Sequence, residues 1–200
     1  MYSKSLLILL ILLIPAGTPA RDEVGKTATI SQVIDGDTLR IGKKKKIRLI
    51  GVDTPEVHES VKLYRDAEDA GVKSKEIRSL GKKSSWITKQ LVEGRRVRLE
   101  FDEEDKDRHG RQLAYVYFTM NESDFASIMG GIFVAGRLPA EREYMLNRVL
   151  IEYGFAKAMT KFPYRYRQEF KDLERAAQER GLGMWAKAKA PEPEVAPAAP

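Results

Sequence analysis

Asp37, Arg48, Asp53, Glu56 and Arg111 are the residues whose types and spacing could do chemistry. The stretch "IRLIGVDTPE", residues 47–56, ends an apolar, strand-like run with two acids around a Thr-Pro turn and sets an arginine inside the run. Each acid alone is an ordinary turn residue. Asp37 is less easily explained, because the Asp35-Gly36 turn does not need it and a strand starts better with a β-former. Two carboxylates held side by side repel each other unless a cation sits between them. Oxygen donors without sulfur or a nearby imidazole select Ca²⁺ or Mg²⁺. The planar fork of arginine matches two phosphate oxygens, so Arg48 and Arg111 beside such an ion could hold a phosphodiester as it gains charge. In a straight strand Arg48 and Asp53 face opposite ways, so the set works only if the chain bends or bulges between them.

The elements that must position these residues are legible in order. "TISQVI" and "TLRI" flank Asp35-Gly36, which predicts a hairpin with a type I′ turn. Gly42 and the lysines at 43–46 turn the chain into a third strand, "KIRLIGV". In such a meander the start of strand two and the end of strand three lie at the same end, which brings Asp37 to Asp53. "SSWITKQLVEG" switches to helical spacing, with Ser84 or Ser85 as the expected cap and Gly94 as the stop. "RRVRLEF" and "QLAYVYF" return to strands, separated by the acidic loop "DEEDKDRHGR". Two further helices are expected over 142–154 and 164–181, each ending at a glycine. The fold class is therefore α+β: a five-stranded antiparallel OB-type barrel with three helices packed against it.

Composition narrows the function classes. The chain has 200 residues, 42% of them hydrophobic, enough for one ordinary core. A net charge of +6 favours anionic partners. With no cysteine and only His58 and His109, thiolate chemistry is excluded and a zinc site would need carboxylates almost alone. The first 20 residues run from Lys4 through an apolar stretch, Leu6–Ile14, to Pro15 and small residues up to Ala20. That stretch is far short of the roughly 20 residues a membrane span needs, so an export signal cleaved after Ala20 is expected rather than an anchor. Residues 21–26 form a short leader, 27–186 the domain, and the Pro/Ala-rich 187–200 a disordered tail. Asp105, Asp107 and Gly110 suggest a calcium-binding EF-hand loop, but Val116 stands where its closing Glu belongs, so that reading fails.

"VIDGDTLRI", "IRLIGVDTPE", "DRHGRQLAYVY" and "LNRVLIEYGFA" resemble the successive motifs of the staphylococcal nuclease family, in order, from about Ile30 to Trp185. The resemblance implies an OB-fold enzyme that hydrolyses phosphodiester bonds of DNA and RNA with one Ca²⁺. By motif position, Asp37 and Asp53 would hold the metal through carboxylates and Thr54 through its carbonyl. Arg48 and Arg111 would contact the phosphate, and Glu56 would activate or position water. The family's barrel is bent at Arg48, which answers the facing objection. Single strands are the expected preferred substrate and a monomer the expected state. His109 replaces a tyrosine common before the Gly-Arg pair, and Thr160 and Phe162 align with the family's tyrosine pair. Tyr164 and Tyr166 stand close by, so His109, Tyr164 and Tyr166 are the candidate substrate contacts. Two segments, 58–79 and 119–142, are longer than usual; the second either borders the cleft and restricts substrates or is a loop without a role. The alternative function is an OB module that binds nucleic acid without cutting it. A cationic adhesion protein is a third reading, which leaves the carboxylates unexplained.

Overall fold

In a computed structural model of the chain, residues 26–70, 72–130 and 141–186 are described. The expected export signal, most of the leader and the tail fall outside these residues. Strands β1 (Lys26–Asp35), β2 (Thr38–Ile41), β3 (Lys45–Leu49), β5 (Arg96–Glu100) and β6 (Gln112–Asn121) make the barrel, and β4 (Val52–Asp53) forms a separate pair with β8 (Lys157–Ala158). β7 (Glu141–Met145) lengthens the sheet beside β6. Among the described residues, five α-helices surround this: α1 (Val61–Ala70), α2 (Ser74–Val92), α3 (Glu122–Met129), α4 (Leu146–Glu152) and α5 (Arg167–Glu179). The three expected helices correspond to α2, α4 and α5, while α1 and α3 occupy the two long segments. Among the described residues, no helix is long and apolar enough to cross a membrane.

The barrel closes through a parallel pairing of β3 with β6, Ile47 to Gln112 and Leu49 to Ala114, where antiparallel strands throughout were expected. Its interior is apolar, with Ile30, Leu39, Ile47, Leu49, Leu99, Val116 and Phe118 essentially without solvent contact. Along the closing seam, Asn147 of α4 is also fully buried. Its Oδ1 accepts from Val116 N at 3.0 Å, and its Nδ2 donates to Ile50 O at 2.9 Å and Ala114 O at 3.3 Å. One amide thus satisfies backbone groups of both closing strands, which a buried seam requires.

Local corrections have physical reasons. The first turn centres on Gly36-Asp37, and neither residue has positive φ, so it is not type I′. Gly36 is needed instead for close approach: a Cβ there would stand 2.7 Å from Thr54 Cγ2. α2 starts ten residues before Ser84, whose buried hydroxyl donates to Phe155 O at 2.6 Å rather than capping a helix. Residues 142–145, expected as the start of a helix, join Glu141 in β7 because β6 offers Tyr117–Asn121 as an unpaired edge. Tyr144 then stacks on Phe125 of α3 at 4.2 Å and on Phe118 at 5.5 Å. The described part of the 119–142 segment therefore lies at the end of β6 remote from Arg111.

Candidate active site

Each charged side chain is placed by the barrel's own geometry. Asp37 ends the β1–β2 turn and is fixed by Leu49 N, which donates to its carbonyl at 3.0 Å. Arg48 pairs with Thr38 across β2 and with Leu113 across β6, so it stands between the two strands that carry Asp37 and follow Arg111. After Leu49 the chain turns sharply at Ile50-Gly51, with Gly51 at φ +71°, before β4 delivers Asp53. That bend puts Arg48 and Asp53 on one side despite their odd spacing. A side chain at Gly51 is also barred by contact, since a Cβ would sit 2.6 Å from the Tyr164 ring. β8 holds β4 from outside, pairing Lys157 with Asp53.

The result is a continuous network. Arg48 forms ion pairs with Asp37 and, through Nη2 at 3.7 Å, with Asp53 Oδ1. Asp37 Oδ2 accepts from Thr54 N at 3.1 Å and Thr54 Oγ1 at 3.0 Å, and its Oδ1 accepts from Thr38 Oγ1 at 3.1 Å. Arg111 Nη1 reaches the same Thr38 hydroxyl at 3.4 Å. Asp37, Thr38, Arg48 and Thr54 are all buried. Burial lowers the Arg48 pKa, Asp53 opposes this, and the like charge of Arg111 adds to the lowering; arginine stays charged nonetheless.

Arg111 owes its direction to Asp107. In the "DRHG" turn Asp107 Oδ1 accepts from His109 N at 2.9 Å and Arg111 N at 3.0 Å, and Oδ2 takes Arg111 Nε at 2.6 Å. Burial pushes the Asp107 carboxyl up, but these bonds outweigh it and hold the group below its ordinary range.

Glu56 lies in the loop after β4, and this loop is set by α2. Gly81 of α2 faces it so closely that a Cβ would stand 2.5 Å from Pro55 O and 2.7 Å from Glu56 O. On the other side is Lys62, at the start of α1. Its Nζ lies 3.1 Å from Thr54 O, 3.3 Å from Asp53 Oδ1, 3.3 Å from Glu56 Oε1 and 3.4 Å from Asp66 Oδ2. Burial lowers the Lys62 pKa, but Asp53, then Asp66 and Glu56, raise it above the usual lysine value.

Whether these residues suit a calcium ion is a question of donors. Among the described residues, no three acids or imidazoles close on one point by themselves. Asp53, Glu56 and the Thr54 carbonyl nevertheless converge on a cation, and Asp37 is joined to Asp53 through another. All are hard oxygen donors without sulfur or nitrogen, the chemistry calcium takes. The donor set fits, provided that Arg48 and Lys62 give way.

Asp37, Arg48, Asp53, Thr54, Glu56 and Arg111 are thus brought into one region, as expected. The candidate substrate contacts are more dispersed. His109 is exposed on a basic groove of about 620 Å³ lined also by Lys44, Lys45, Lys46, Lys106 and Arg111. Tyr164 is half-buried under Gly51 and beside Phe170, and burial pushes its hydroxyl up to about 12. Tyr166 packs edge-on to Tyr115 at 4.8 Å, and its hydroxyl reaches Glu100 at 3.4 Å. Phe162 is 55% exposed, with Lys161 Nζ over its ring at 5.7 Å from the centroid. Lys62, Asp66, Asp107 and Gly81 were not anticipated as parts of the site; Gly81 gave no signal because the helix that contains it was expected to start only at Ser84 or Ser85.

The model of the Staphylococcal nuclease homologue family matches residues 46–187. The chain belongs to that family. A thermonuclease of Staphylococcus hyicus is 30% identical over 165 residues, covering 80% of this chain and 76% of the relative. A thermonuclease of Staphylococcus intermedius is 33% identical over 150 residues, covering 74% and 80%. Endonuclease YncB of Bacillus subtilis is 35% identical over 108 residues, covering 51% and 45%. Membership makes this protein a nuclease, a hydrolase of phosphodiester bonds.

Proposed function

We propose that this nuclease is an exported, calcium-dependent enzyme that cuts DNA and RNA, preferring single strands, and acts as a monomer. The observation that carries the reading is the convergence of Asp37, Asp53, Glu56 and the Thr54 carbonyl beside two separately anchored guanidinium groups. Asp37, Asp53 and the Thr54 carbonyl would hold one Ca²⁺, which when bound supplies charge to phosphate oxygens and eases formation of hydroxide. Arg48 and Arg111 approach from two strands, so their forks can grip different oxygens of one phosphate and strengthen their hold as it becomes five-coordinate. Glu56, in a loop open to solvent, is placed to orient a water and accept its proton. His109, Tyr164 and Tyr166 are proposed to touch the substrate, with His109 nearest to Arg111 in sequence and in the basic groove.

Single-stranded DNA digested with calcium, with chelator, and with calcium restored checks the reading. Cutting that disappears with chelator and returns with calcium is expected; cutting that persists would remove the metal. Binding without cutting would favour the alternative, a nucleic-acid-binding OB module that has lost catalysis. Export predicts secreted material beginning at Arg21, checked by N-terminal sequencing.

A further inference from the structure

Lys62 is the basic side chain of the site that the proposed reaction does not use. Its position is nonetheless well determined. It is the second residue of α1, and α1 is pinned by Leu63 and Ala67, which pack on Ile77 of α2 in a small apolar cluster separate from the barrel core. From there Nζ reaches the Thr54 carbonyl, Asp53 and Glu56, all between 3.1 and 3.3 Å away. Two of these are donors assigned to the metal and the third is the acid assigned to water. A calcium ion held by Thr54 O and Asp53 would compete with the ammonium for those oxygens and repel it. The two cations therefore exclude each other.

We infer that Lys62 is a tethered cation that keeps the metal's place: it holds the Thr54 carbonyl, Asp53 and Glu56 together beforehand and must leave when calcium enters. Asp66 gives it somewhere to go. That carboxylate is one helical turn further along α1, already 3.4 Å from Nζ, and is outside the proposed donor set. The arrangement keeps three oxygen groups from springing apart or capturing a weakly held monovalent ion. It also makes calcium affinity lower than the oxygen donors alone would give, because each binding event must first break the Lys62 contacts. This rests on the calcium reading above.

Titration calorimetry with calcium alone, no nucleic acid present, tests it on the full domain. Lys62→Met should bind calcium about tenfold more tightly than the unaltered protein, within the range of coupling between linked sites. Lys62→Gln serves as a second neutral variant, and circular dichroism confirms that both fold. Lys82→Met, which removes the same charge from the exposed face of α2, should leave the affinity within about twofold. Without calcium, Lys62→Met should melt below the unaltered protein, and saturating calcium should raise its midpoint by the larger amount. Equal or weaker calcium binding in both neutral variants, with normal binding by the parent, would overturn the role of Lys62 and leave the calcium reading standing. Absence of binding in every protein at millimolar calcium would overturn both.

Discussion

Asn147 and Arg48 are both buried polar groups at the end of β3, yet one is locked to neutral backbone partners and the other is held by ions that can be exchanged. Asn147 uses its oxygen and its amide nitrogen on three neutral backbone groups, sharing only Ala114 O, which also accepts from Ile50 N at 3.1 Å. Arg48 shares Asp37 with Thr54 and Thr38, and shares Asp53 with Lys62. On the proposed reading of Arg48, the difference separates holding the barrel shut from doing chemistry: a scaffold needs polar groups whose partners never leave, while a site needs partners that a substrate or metal can replace.

Removing the exchangeable group tests one side of that contrast most severely. Arg48→Ala or Arg111→Ala should lower kcat by about a thousandfold, the scale of losing a donor aimed at developing charge, with melting little changed for Arg111→Ala and lowered for Arg48→Ala, which leaves buried Asp37 without its cation; near-normal rates in the folded fraction would remove that arginine from the reaction. On the scaffold side the pattern should invert. Asn147→Leu takes away the partner of Ile50 O and of Val116 N and should destabilise by about 3 kcal/mol, measured by urea unfolding, with kcat retained in the folded fraction. Between these extremes stands Gly81→Ala. Its Cβ must displace the Glu56 loop, so kcat should fall about tenfold from misplacement with a modest loss of melting temperature. Smallest is Asp107→Asn, which weakens the direction of Arg111 without removing its charge. Because the folded Asp107 pKa is depressed, the stability it contributes is present above about pH 3.9 and is lost as pH falls through the lower folded value. Acid titration of stability should therefore be shallower in that variant below about pH 4.

Much of this site could be read before any coordinates. Asp37, Arg48, Asp53, Glu56 and Arg111 stand in short motifs at strand ends, where turn chemistry and strand direction alone bring the first and third to one edge. Lys62 could not be read this way. It sits in a helix dense with both charges, and no periodic rule connects it to Asp53 across an irregular loop. Asp107 resembled a solvated loop acid, because its function depends on three hydrogen bonds that only the folded turn creates. The barrel followed from five strand-like runs, but its parallel seam joins segments 65 residues apart, a pairing that hydrophobic alternation does not encode. Arg142–Met145 looked helical from its continuation into Leu146, and only the free edge of β6 decided otherwise.

The parallel pairing of Arg48 with Leu113 carries one more implication. Pairings between distant segments form late, because the long intervening loop must first be closed. Arg48 and the strand that follows Arg111 are brought side by side only by that pairing, so a chain in which β3 and β6 are not yet joined holds the two guanidinium groups apart. If both arginines grip the phosphate as proposed, cutting waits for the barrel to close.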